Sequence, residues 1–292
     1  MSTRVSVVIP VYGPAPHLHE ALRSVGPDAD EIVVVDDGGP VPCAWVTELD
    51  SRVVYLRQDN AGVSAARNRG VLASTGDILF FLDQDDVFHP AKIATIVARI
   101  QEAGAAFAWS AFHIIDGDGD RRAEGWGRQV TYAQMLAGET GIQASALAVT
   151  RAAFSRTGLF DPGLRYAGDQ KLALALLREE QGCFVASDLM GYRLHGGNES
   201  RKYRLVAAEM FSIWAGEAPH ARSRDLRRAR RSGLKALRTL FGWQAHAAVK
   251  EALATRDRKG LAKEIAWLLR HDPVGSWRRV VKRASQNVKG NS

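Results

Sequence analysis

The chain has 292 residues, 46% hydrophobic and 24% charged, which excludes a disordered, collagenous or disulfide-framework protein and fits one large α/β domain plus a smaller appendage. Its apolar runs fall far short of the ~20 residues of a membrane helix. The polar start MSTRVSVVIPVYG has no signal region, so a cytoplasmic protein with buried, reduced Cys43 and Cys183 is expected. The net charge of +7 is split: residues 1–200 hold 17 Lys+Arg against 25 Asp+Glu, and residues 201–292 hold 22 against 7, so two bodies with different partners are expected.

In chain order, Val5–Val11 (VSVVIPV) reads as a buried β-strand ending in a Pro-Val-Tyr-Gly turn, and Leu18–Ser24 as a helix. Glu31–Val35 is a second strand, breaking into Asp36-Asp37-Gly38-Gly39, and Arg52–Leu56 a third. A helix over Ala65–Ala73 precedes a fourth strand, Ile78–Leu82, which ends at Asp83-Gln84-Asp85-Asp86. Pro90–Glu102 is helical, with Pro at its start. A strand over Ala106–Ile115, a DGDGD turn and a helix over Leu172–Glu180 follow. Beyond Arg201 the spacing is helical, over Leu226–Leu240, Ala247–Leu253 and Leu261–Leu269. Strands alternating with helices imply a mostly parallel sheet covered on both faces, whose ligands bind beyond the carboxyl ends of the strands. The turns after Val11, Val35 and Leu82 lie there.

Three carboxylates in the four residues Asp83–Asp86 repel one another unless a cation neutralises them. Hard ions such as Mg²⁺ or Mn²⁺ prefer oxygen ligands and bridge carboxylates to substrate phosphates. The alternative is a solvated acidic turn ahead of the next helix. Asp36 and Asp37 either accept hydrogen bonds from a base or ribose, or end a strand as Asp-Gly pairs routinely do. In Asn60–Gly70 (NAGVSAARNRG) small residues permit close approach, and Arg67 either reaches a phosphate or base or faces solvent.

The succession VSVVIPVYG, EIVVVDDGG, NAGVSAARNRG and DILFFLDQDD resembles the family 2 glycosyltransferases, which have the GT-A fold. Later segments agree: Gly158-Leu159-Phe160-Asp161 is similar to the family's GxFDE turn, Gly168-Asp169 to its ED segment, and Tyr192–His195 to its YRxH ending. The resemblance covers about residues 4–200. It implies an inverting transfer from a nucleotide diphosphate sugar, UDP-linked in kind, to a glycan, lipid-linked or protein hydroxyl, in the setting of bacterial surface polysaccharide assembly. It places the donor nucleotide on Pro10, Val11, Tyr12, Asp37, Arg67 and Asp83. It places a divalent Mn²⁺ or Mg²⁺ on Asp85, with Asp86 and His195 as further ligands, and makes Asp169 the general base. The chain departs from the pattern at Gly168 and Lys171, where the family carries acids, so the pKa of Asp169 is expected to be lower.

The expected architecture is a GT-A domain over 1–200 and a basic α-helical region over 201–292. That region admits three readings: an appendage packed on the catalytic domain, a peripheral contact with an anionic membrane, or a surface for an acidic glycan or protein. The membrane reading rests on Phe241, Trp243, Trp267, Leu268, Leu269 and Trp277 beside Lys and Arg. No nucleic-acid recognition module is visible. Asp116-Gly-Asp-Gly-Asp120 opens like a calcium loop but lacks its sixth-place Gly and twelfth-place Glu, so it reads as a hairpin turn. Trp109 and His113 read as core, and Trp126 and Tyr132 as packing residues ahead of sugar-stacking ones. The rival functions are a sugar nucleotidyltransferase, which lacks its Gly-rich phosphate loop here, and a catalytically silent protein with the same fold. A Gly-x-Ser-x-Gly elbow and a dinucleotide Gly-x-Gly-x-x-Gly are both missing.

Overall fold

The computed structural model describes residues 3–198 and 202–272. The chain divides into two compact units, one of residues 1–135 and 140–201, the other of 136–139 and 202 onward.

The first unit opens with β1 (Val5–Val11), all seven residues buried, as a strand covered on both faces requires. Then come α1 (Leu18–Ser24), β2 (Glu31–Asp36), β3 (Val53–Arg57), α2 (Val63–Ala73), β4 (Ile78–Phe81), the short β5 (Val87–Phe88) and α3 (Lys92–Ala103). The second half carries β6 (Phe107–Ile115), β7 (Arg121–Trp126), α4 (Tyr132–Leu136), β8 (Leu147–Thr150), α5 (Arg151–Thr157), α6 (Gly168–Glu179) and β9 (Gly182–Arg193). One sheet runs β3-β2-β1-β4-β8-β6-β9-β5, with β7 paired to β6. The expected parallel arrangement is found over β3-β2-β1-β4 and again between β6 and β9. β8, antiparallel to both β4 and β6, joins the two parts.

β8 and β9 are absent from the sequence reading. Four residues are too few to show a period, and β9 shifts register twice against β6, which breaks its alternation. Pro10 shapes the site from within β1. Leu82 donates its N–H to the Val8 carbonyl, and the next rung on that side would need an N–H from Pro10, which has none. The chain after β4 is thereby released, and Asp83–Asp86 leaves the sheet beside the end of β1.

The second unit holds three helices, α7 (Tyr203–Gly216), α8 (Arg224–Ala254) and α9 (Arg258–His271). α8 is one helix of 31 residues where the sequence suggested two segments; Gly242 at the break is buried against its neighbours. Ser223 caps α8 and Asp257 caps α9, each side chain accepting an N–H of the first turn. An aromatic file runs Tyr203, Trp267, His271, Phe211, Phe241, with ring centroids 4.7 to 6.2 Å apart. Trp214 donates its indole N–H to Leu136 O at 2.8 Å, which ties residues 136–139 into this unit.

Candidate active site

β1, β2 and β4 end at the same edge of the sheet, and their turns carry the residues singled out above. Asp36 is buried and accepts from the N–H groups of Gly38, Gly39 and Cys43, from Tyr55 and from Arg57. Those hydrogen bonds outweigh burial and lower its pKa. The backbone so bent brings Gly39 against Gly13: a Cβ at Gly39 would lie 2.6 Å from Gly13 N. Beside this contact a cleft of about 500 Å³ opens between Gly13–Pro16 and Val41–Trp45, with His195 on one wall.

Asp37 is held within the protein by hydrogen bonds. It is 3% exposed and accepts from Gln58 Nε2 at 2.7 Å, Ala61 N at 2.8 Å and Gly62 N at 2.8 Å. The reason is the turn before α2, whose first N–H groups have no helical partner and take the nearest carboxylate. Asp37 is therefore a clasp for that loop. Tyr12, at the end of β1, is 56% exposed, while Pro10 and Val11 are buried beneath it. Gln84 accepts from Tyr12 N at 2.9 Å and donates to Tyr12 O at 3.3 Å, locking the β1 turn to the acidic turn.

Arg67 projects from α2 and is 5% exposed. It donates to Asp83 Oδ1 at 2.5 Å and lies 5.3 Å over the Phe160 ring, while its Nε finds no hydrogen-bond partner. A buried guanidinium N–H without an acceptor is costly, and an anionic ligand oxygen would satisfy it. Asp85 pairs with His195 Nε2 at 2.9 Å and with Asn198 Nδ2 at 3.3 Å. Burial and the neighbouring charge of Asp83 raise the Asp85 pKa, with His195 opposing.

Asp86 is more deeply enclosed than Asp85. It is 2% exposed and accepts from Arg193 N at 3.0 Å, and burial with the charges of Asp83 and Asp85 holds its pKa well above the carboxylate range. Lys92 is buried on the same side, 3.2 Å from Ser110 Oγ, and burial pulls its pKa down to about 7 against the pull of Asp86. Among the described residues no three His, Cys, Asp or Glu side chains converge as a metal cage. The donor set that remains, one carboxylate and one imidazole, fits a hard divalent ion that completes its shell with phosphate oxygens and water.

Asp169 sits in the first turn of α6. Burial raises its pKa to about 6; the charge of Asp83 adds to this and that of Arg67 opposes it. Desolvation thus lifts the group without help from acidic neighbours at 168 and 171. Gly168 has its own reason, since a Cβ there would lie 2.4 Å from Ser64 Oγ, which donates to Leu164 O. Lys171 pairs with Asp161 at 2.5 Å.

Arg193 was quoted in the sequence only as part of a motif, yet it organises the site. Fully buried, it donates Nε to Asp85 O at 2.8 Å, Nη1 to Asp116 O and Gly117 O at 3.1 Å each, and Nη2 to Glu20 at 2.6 Å. Ser145, also missed, accepts from Asp83 N at 3.0 Å. A buried arginine closing a strand is a detectable signal; a serine in a three-residue 3₁₀ turn is not. Of the other expectations, Trp109, Cys43 and Cys183 are buried, and the Asp116–Asp120 segment forms the expected turn. His113 is instead half-buried and paired with Asp188 at 2.8 Å, and Trp126 is 63% exposed rather than packed.

This arrangement of turns matches known proteins. A chain from Rickettsia conorii described as an uncharacterized glycosyltransferase is 33% identical over 123 residues, 40% of this chain and 20% of that one. This chain spans about a fifth of the length of the first curated relatives it matches. A mannosyltransferase from Pyrobaculum calidifontis, in complex with GDP-Man and Mn²⁺, superposes with a TM-score of 0.61 at 16% identity, covering 95% of this chain and 83% of that one. TarS of S. aureus (residues 1–349), in complex with UDP-GlcNAc, superposes with a TM-score of 0.58 at 14% identity, covering 89% and 90%. The fold is therefore GT-A, with C-terminal helices. The model of the family Glycosyl transferase family 2 matches residues 6–159, more than half of the chain and the ends of β1, β2 and β4, and the protein belongs to that family.

Proposed function

We propose that this protein transfers a sugar from a nucleotide diphosphate sugar, UDP-linked in the first instance, to a hydroxyl of a glycan, lipid-linked or protein acceptor. The reaction is metal-dependent and inverting, and it serves bacterial surface polysaccharide or glycoconjugate synthesis in the cytoplasm. Catalysis belongs to residues 1–200, and the basic helices from 201 onward are an appendage. The carrying observation is that Asp83, Asp85, His195, Arg67 and Asp169 gather at one edge of the sheet, with Arg67 Nε buried and unpartnered.

Tyr12 offers an exposed ring to the base, with the backbone of Pro10 and Val11 beneath it. Asp83 accepts from the ribose, and Arg67 keeps its free N–H for the diphosphate. Asp85 and His195 would hold Mn²⁺ or Mg²⁺, and such an ion, when bound, offsets the charge that develops on the diphosphate leaving group. Asp169 takes the proton of the acceptor hydroxyl. A carboxylate of pKa about 6 is ionised at neutral pH and is a stronger base than an ordinary aspartate. A base acting on the acceptor hydroxyl, with no covalent intermediate, makes the attack a single in-line displacement in this reading. The GDP-Man, Mn²⁺ and UDP-GlcNAc complexes of the two similar structures support this class of donor and metal.

The test is a thermal-shift screen of nucleotide sugars with and without Mn²⁺. One donor should raise the melting temperature only with metal, and EDTA or Asp85→Asn should remove the shift. Equal shifts with and without metal would remove Asp85 and His195 from the donor site.

A further inference from the structure

The acids of the second unit are partly hidden, with Asp225 and Glu251 of α8 exposed. Of the seven beyond residue 200, Glu217, Glu264 and Asp272 are buried, and Asp257 is the N-cap of α9. Glu264, the single acid within α9, turns inward to Tyr203 and Arg204. The outer face of α9 is left with exposed Arg258, Lys259, Lys263 and Arg270 and no carboxylate. Burial of the acids makes this surface more cationic than its sequence.

Between those cations lie apolar side chains that the fold does not cover. Ile265 and Leu269, one turn apart on α9, are 45% and 66% exposed, with exposed Ala262 and Ala266 beside them. On α8, Leu240 and Trp243 are 52% and 61% exposed, with Ala247 continuing the same face and Lys250 next along it. Both helices thus have two apolar faces: an inner one, with Leu237, Phe241 and Leu268 buried, and an outer one in solvent. The sequence reading of this region is corrected accordingly. Phe241 and Leu268 are core, Trp267 packs on Tyr203 and His271, and Trp277 lies outside the described residues.

We propose that the outer faces of α8 and α9 dock on the headgroup layer of an anionic lipid bilayer. Arg and Lys meet the lipid phosphates while Trp243, Leu240, Ile265 and Leu269 enter the acyl boundary. A nucleic acid or acidic glycan matches the charge but offers nothing to uncovered Leu and Ile side chains; a bilayer offers both. No described helix is long and apolar enough to cross a membrane, so the contact is a peripheral one. The inference stands independently of the proposed transferase reaction.

The experiment is co-sedimentation of the full chain with vesicles of phosphatidylcholine alone and of equimolar phosphatidylglycerol and phosphatidylcholine, at low and high salt. Binding should require the anionic lipid and weaken with salt. Lys259→Glu with Lys263→Glu should weaken it by about thirtyfold or more, and Ile265→Gln with Leu269→Gln by about tenfold. All four sites are exposed, so circular dichroism should show the parent's helix content and cooperative unfolding, and the variants report on the surface. Lack of binding, equal binding to neutral vesicles, or anionic binding indifferent to the apolar pair would each overturn the proposal. The last of these, joined with tight heparin binding, would assign the face to a polyanion.

Discussion

Asp169 carries two consequences of one physical fact. Burial lifts its pKa from 3.8 to about 6, so the folded protein binds that proton more tightly than the unfolded chain. The related stability is complete below pH about 4 and is lost as pH rises through about 6. Asp169→Asn should therefore melt above the parent at neutral pH, with the gap closing in acid, as calorimetry at several pH values would show. Transfer by the same variant should fall about a thousandfold while donor binding survives. For the parent, kcat/KM should decline below pH about 6 with a slope of one; a flat profile down to pH 5 would remove Asp169 as the base. Arg193 is the second residue to test. Arg193→Met leaves half-exposed Glu20 and three carbonyls without their donor and should cost about 1–3 kcal/mol in urea unfolding. A loss under 1 kcal/mol would mean that water replaces the guanidinium.

At the scale of elements, the site depends on turns held by side chains from distant strands. Gln84 joins the β1 turn to the acidic turn through both backbone groups of Tyr12. Gln84→Ala should raise the donor KM several-fold with a smaller effect on kcat, because each turn keeps its own residues but loses its spacing to the other. A change confined to kcat would count against that coupling. The start of α6 is set by the close approach of Gly168 to Ser64. Gly168→Glu, which restores the family's usual residue, should destabilise by about 1–3 kcal/mol through overpacking. Pairing it with Ser64→Gly should recover part of that loss in a double-mutant cycle.

Across the molecule, charge is divided between the two units, with 22 Lys+Arg against 7 Asp+Glu beyond residue 200. Most of those cations among the described residues are exposed, and salt screens the repulsion between exposed like charges. Self-repulsion should make the melting temperature rise with sodium chloride, and a fall would mean that attractive pairs dominate. The same cationic field supplies the attraction for an anionic surface.

Local chemistry alone determined the strand-helix alternation, the acidic turn after the fourth strand and the helical tail, because periodicity, β-branching and turn residues act over a few neighbours. Residue types at Arg67, Asp83, Asp85, Asp169 and His195 were legible for the same reason: charged groups at strand and helix ends stand out from apolar runs. What each carboxylate does was decided only in three dimensions. Asp36 and Asp37, like Asp85 and Asp86, are neighbours in sequence, yet the fold gives Asp37 to the N–H groups before α2 and buries Asp86 against the backbone of Arg193. β8, β9 and the inward turn of Glu264 belong to the same class, since pairing and desolvation depend on partners far along the chain. Spacing in a sequence records which groups are near one another along the backbone, whereas burial and hydrogen-bond partners arise only when the chain closes on itself.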